Sequence, residues 1–109
     1  MTNALKVLGQ ANPVVTTLTT LYTVPTSIQT TGSTLAIANR SATPTTFRVS
    51  VAIAGAVDDP KQYIAYDVPI AGNDTVFLTI GLSLATTDVV RCYAGLANLS
   101  FSLFGVEIT

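Results

Sequence analysis

The chain has 109 residues, a formal net charge of −1 and no histidine. That length gives one domain, residues 1–109, with one core. Charged residues are only 10% against ~25% in typical soluble domains, and the five basic ones stand singly. Binding to nucleic acid or to a membrane through a basic patch therefore has no support.

The chain opens Met-Thr-Asn-Ala-Leu-Lys, and Gly9, Gln10 and Asn12 interrupt the stretch after Lys6. This is not a signal-peptide pattern, so synthesis inside the cell is expected. No apolar run approaches the ~18 residues of a membrane span. Residues 4–8 read as a strand. Given the break from Gly9 to Pro13, residues 9–16 read as a flexible arm leading into the second strand, so that residues 1–15 form an N-terminal arm whose strand pairs with a neighbouring subunit.

A second strand is expected over residues 16–24, ended by Pro25. Thr31-Gly32-Ser33 reads as a turn and residues 34–39 as the third strand. In Thr45-Thr46-Phe47-Arg48-Val49-Ser50-Val51-Ala52-Ile53 the period is two. Phe47, Val49, Val51 and Ile53 are expected on the core face, with Arg48, Ser50 and Ala52 outside. Asp58-Asp59-Pro60-Lys61 reads as a turn with an exposed local ion pair. Residues 63–68 form the next strand, and strict alternation points Tyr63 and Tyr66 to opposite faces, so they make no common platform.

Asn73-Asp74 turns the chain into a strand that groups Val76, Leu78 and Ile80. Residues 89–94 follow. The last strand runs from Leu99 towards Ile108, with a bulge expected at Gly105. The Tyr-x-Val-Pro repeats at Tyr22 and Tyr66 mark two strands that stop pairing at a proline. About eight strands at 8–13-residue spacing, and no amphipathic helix, give an all-β, antiparallel, jelly-roll-like sandwich.

Reaction chemistry is sparse. Without histidine, the common catalytic triads and most zinc sites are out of reach. No phosphate-cradling glycine motif is present. Asp58 and Asp59 lack the ligand spacing of a calcium loop. No aromatic cluster is apparent for stacking a sugar. The expectation is no enzyme, no cofactor and no metal. Cys92, the sole cysteine, reads as a small buried hydrophobe. The Asn-x-Ser/Thr triplets at Asn39, Asn73 and Asn98 read as turn asparagines.

The expected outer faces carry Thr17, Thr19, Ala36, Ala38, Ser50, Ala52, Thr75 and Thr79. Such faces lack the charges that stop sheets from associating. Assembly is therefore expected, with Arg40, Arg48 and Arg91 as anchors because arginine dominates many interfaces. Tyr63 and Tyr66 serve core or interface packing, with each hydroxyl at the rim.

The segments Leu21-Tyr22-Thr23-Val24-Pro25, Ala38-Asn39-Arg40-Ser41, Thr45-Thr46-Phe47-Arg48-Val49, Tyr66-Asp67-Val68-Pro69-Ile70, Asn73-Asp74-Thr75, Asp88-Val89-Val90 and Asn98-Leu99-Ser100-Phe101-Ser102-Leu103-Phe104-Gly105 carry a resemblance. Over residues 20–108 the chain resembles small β proteins of tailed bacteriophages, cyanophages among them. The resemblance implies a virion component made in the host cytoplasm. Its leading form is a capsid decoration (cement) protein that bridges capsomers as a trimer, with itself and the major capsid protein as partners. The alternative is a tail, baseplate or fibre module that touches the host surface.

Overall fold

A computed structural model describes residues 2–109. Eight strands follow in order: β1 Asn3–Ala11, β2 Thr19–Thr23, β3 Gln29–Asn39, β4 Thr45–Ala52, β5 Tyr63–Ile70, β6 Thr75–Leu84, β7 Val89–Ala94 and β8 Leu99–Ile108. Short 3₁₀ turns at Ile53–Gly55 and Pro60–Gln62 interrupt the β4–β5 connection. The strands form two antiparallel sheets, ordered β1-β8-β3-β6 and β2-β7-β4-β5. Strand 1 lies beside 8, 2 beside 7, 3 beside 6 and 4 beside 5. The chain is thus one long hairpin wrapped into two layers, the jelly-roll order.

Period-two alternation builds the core. Leu99, Phe101 and Leu103 of β8, Leu35 and Ile37 of β3, Phe47 and Val49 of β4, and Val90, Cys92 and Ala94 of β7 are all buried. At the centre, Phe47 and Phe101 meet edge to face across the layers, 6.2 Å apart. Burial pushes the Cys92 thiol up to about 12, which fits its place among hydrophobes.

A buried polar cluster ties the layers together at one end. The Tyr22 hydroxyl of β2 donates to Glu107 Oε2 of β8 at 2.6 Å and lies 2.8 Å from Thr30 Oγ1 of β3. Lys6 Nζ donates to Glu107 Oε1 at 2.9 Å. The Tyr22 hydrogen bond, and then Lys6, hold the Glu107 carboxyl below the usual carboxylate range. Burial first, and then Glu107, raises the tyrosine to about 12.

Several local expectations are corrected. The expected arm over residues 1–15 is not seen among the described residues: β1 pairs with β8 of its own chain from Asn3 to Ala11. Gly9 marks a register shift in a strand that continues. A Cβ at Gly9 would strike the Leu21 carbonyl of β2, so the glycine permits the close approach that shuts this side of the sandwich. Beyond β1, Pro13 is fully buried, and Asn12 Nδ2 donates to the Ala97 and Leu99 carbonyls.

Thr31-Gly32-Ser33 is not a turn; β3 passes through it with a bulge between Gly32 and Thr34. The bulge expected at Gly105 therefore sits on the facing strand, while β8 runs unbroken to Ile108. Pro25 lies beyond the end of β2. Pro69, by contrast, stays paired with Thr46, as an edge strand allows. The asparagines do serve turns. Buried Asn39 donates to the Thr43 and Ala71 carbonyls and accepts from the Ser41 amide, and Asn73 adopts φ +55°.

Candidate functional site

The clearest cluster of polar and aromatic side chains lies on the outer face of the β2-β7-β4-β5 sheet. Its centre is Arg48, mid-strand in β4 and paired directly with Tyr93 of β7. On the other side, β5 carries one residue too many. Phe47 pairs with Val68 and Val49 with Ala65, so Tyr66 and Asp67 together oppose Arg48. Asp67 takes a left-handed φ of +52°, a conformation that aspartate tolerates better than most residues. Such a bulge re-aims side chains, and here both extra residues reach the arginine. The guanidinium lies 4.1 Å from the Tyr66 ring centroid and 4.4 Å from that of Tyr93. Its Nε donates to Asp67 Oδ1 at 2.6 Å and an Nη to Oδ2 at 3.3 Å. Stacking on ring faces and a two-pronged carboxylate contact are both properties of a planar guanidinium.

A second irregularity follows at once, because Val49 pairs with Ala65 but Ser50 with Tyr63. Ile64 is the extra residue, and it resets the alternation. Tyr63 and Tyr66 therefore share the outer face, with ring centroids 5.1 Å apart and planes at 84°. This overturns the expectation that they point apart, and with it the reading that the chain has no aromatic cluster. Burial raises the Tyr63 hydroxyl's pKa, and the neighbouring Asp58 carboxylate raises it further. Arg48, Asp58, Pro60, Tyr63 and Tyr66 line an open groove of about 500 Å³.

Beside the groove, residues 53–62 lie across the sheet as a flap. Arg91 fastens it by donating to the Ala56 and Gly55 carbonyls at 2.9 and 3.2 Å. Asp88 accepts from the Ala54 amide, and Gln62 Nε2 donates to the Val57 carbonyl. The flap explains a further correction. Ser50 and Ala52, expected on a solvent face, are fully buried, whereas Ile53 has left the strand and is 77% exposed rather than in the core. Among the described residues, Asp58, Asp59 and Lys61 make no ion pair. Asp59 instead accepts from the Lys61 amide and caps the 3₁₀ turn.

Of the five expected contact residues, Arg48, Tyr63 and Tyr66 come together, and Tyr93 joins them unannounced. Arg91 is occupied by the flap. Arg40 is likewise turned to its own chain: its Nε donates to Ser100 Oγ at 2.8 Å and an Nη to Asn12 Oδ1 at 2.6 Å.

The opposite face of the sandwich, the outside of β1-β8-β3-β6, has another character. Register places Leu5 beside Val106, Val7 beside Phe104 and Thr34, and Ala36 between Ser102 and Phe77. Ser100, Ala38 and Thr75 complete the next row. None of these positions is itself a charged residue, and the Arg40 guanidinium reaches the face only at Ser100. Leu5 is 84% exposed and Phe77 66%, with Val7 and Phe104 also open. Sequence reading missed these four. The signal for Phe77 and Phe104 was the loss of alternation in Val76-Phe77-Leu78 and Leu103-Phe104, where apolar residues occupy both faces of a strand; Leu5-Lys6-Val7 alternates and carried none. No known protein family, curated protein or solved structure matches this chain.

Proposed function

We propose that this chain is a structural component of a tailed-phage virion, a capsid decoration protein that stabilises the shell by bridging capsomers. The observation that carries the reading is the apolar, charge-poor outer face of the β1-β8-β3-β6 sheet, where Arg40 reaches in only at its Ser100 end. Leu5, Val7, Phe77 and Phe104 stand exposed there among threonine, serine and alanine. Exposed apolar surface of this kind marks a contact with other protein, and a surface so poor in charge is matched by a second copy of itself. Repeated copies, with trimers expected, seat this face in the assembly and reach the major capsid protein beyond it. The phage resemblance of residues 20–108 supports the same reading. So does the jelly-roll order, which recurs in viral capsid proteins, although that is a fold-level analogy.

The test is copy number in purified particles by quantitative mass spectrometry against the major capsid protein. Hundreds of copies are expected. About a dozen or fewer would overturn the decoration role and favour a tail or baseplate module. In parallel, light scattering of the purified protein should show an oligomer that Leu5→Glu with Phe77→Glu converts to monomer.

A further inference from the structure

On the sheet that faces away from the proposed assembly surface, we propose that the groove of Arg48, Asp58, Pro60, Tyr63 and Tyr66 binds a neutral pyranoside sugar. The inference does not depend on the assembly reading, since it rests on the other sheet and on different residues.

The groove's volume of about 500 Å³ lies within the ~300–1,000 Å³ of small-ligand sites. The two tyrosine rings, nearly perpendicular at 84°, make a floor and a wall. Aromatic faces carry partial negative charge, and the C–H bonds on one side of a pyranose ring carry slight positive charge, so a sugar lays its flat apolar side on such a floor. Tyr66 is 58% exposed even with Arg48 stacked on it, which leaves ring surface available. The floor is also fixed in advance, because the Arg48 guanidinium, itself held by Asp67, stacks on Tyr66, and the Tyr63 ring packs against it at 84°.

The polar groups narrow the ligand class. Each sugar hydroxyl both donates and accepts. The groove offers Asp58, which as a carboxylate only accepts, and Arg48, which only donates. Neighbouring hydroxyls on one sugar ring use both. A proline-rich peptide presents mainly carbonyl acceptors, which donate nothing to Asp58. An anionic ligand would meet Asp58 and Asp67 beside a guanidinium that Asp67 already engages. The hydroxyls of a neutral sugar can donate to Asp58 and accept from the Arg48 N–H groups that Asp67 leaves free.

The chain has four tyrosines and no tryptophan, and only Tyr22 lies away from the cluster. Tyrosine emission and amide NMR shifts therefore both report on the groove. The probes are the methyl α- and β-pyranosides of glucose, galactose and mannose, with their β-linked or α-linked trisaccharides. At least one series should shift amides near residues 48, 58–66 and 93, with Kd near 1 mM or tighter, set here as about −4 kcal/mol. Tyr66→Ala and Asp58→Asn should each weaken binding about tenfold or more, while Tyr66→Phe keeps it. Both positions are exposed, and an unchanged melting curve verifies each fold. Three results would overturn the proposal: no shift with any probe up to about 100 mM, binding that survives both variants, or shifts at these amides from a proline-rich peptide when no glycoside gives any.

Discussion

Replacing Tyr22 by phenylalanine should cost about 2 kcal/mol at neutral pH, and the cost should shrink in acid. The ring itself stays, so packing is kept and only the hydroxyl goes. That hydroxyl makes a 2.6 Å hydrogen bond to an ionised carboxylate and sits 2.8 Å from Thr30 Oγ1. Hydrogen bonds to charged groups contribute about 1.5–3 kcal/mol. Glu107 keeps Lys6 as a partner, which limits the loss, but the 2% exposed Thr30 hydroxyl loses its contact as well. Unfolding entropy near 2.1 cal/mol/K per residue turns 2 kcal/mol into a fall in Tm of about 9 °C for a chain of this length. The pH dependence follows from the depressed Glu107 pKa. A carboxyl with a folded-state value below its unfolded value adds stability that is complete above the ordinary glutamate range of ~4.3, and that is lost as pH falls through the folded value. Urea denaturation of both proteins at pH 7 and near pH 2 measures the gap. A gap below about 0.5 kcal/mol at pH 7, or one that is the same at both pH values, would refute the role assigned to this cluster.

Two further outcomes follow from the same reasoning. Asp67→Val places a β-branched residue at φ +52° and removes the partner of Arg48, so stability should fall by about 1–2 kcal/mol from the backbone alone, and the near-ultraviolet circular dichroism of the tyrosines should change; an unaltered spectrum would mean that the bulge does not set the tyrosine geometry. Cys92 is fully buried with its thiol raised to about 12, so a thiol reagent at pH 8 should label it only after denaturant is added, and rapid labelling of the native protein would contradict its placement.

The sequence by itself determined the strand count, the identity of most core residues and most of the places where the chain turns. Period-two patterns such as Phe47-x-Val49 and Leu99-x-Phe101-x-Leu103 carry that information locally, because alternation assigns faces within one strand. Tertiary structure decided everything that depends on a partner strand. Whether the Gly9 and Gly32 breaks were turns or bulges depended on which neighbour pairs across them. Whether Ser50 and Ala52 met solvent depended on a flap that Arg91 holds from the next strand. The tyrosine cluster is the sharpest case. One extra residue at Ile64 and another at Tyr66-Asp67 are invisible in the spacing of β5 alone, and each shifts every later side chain by one face. A face is a property of a single strand, but a site on a sheet is a property of register, and register is fixed only when two strands meet.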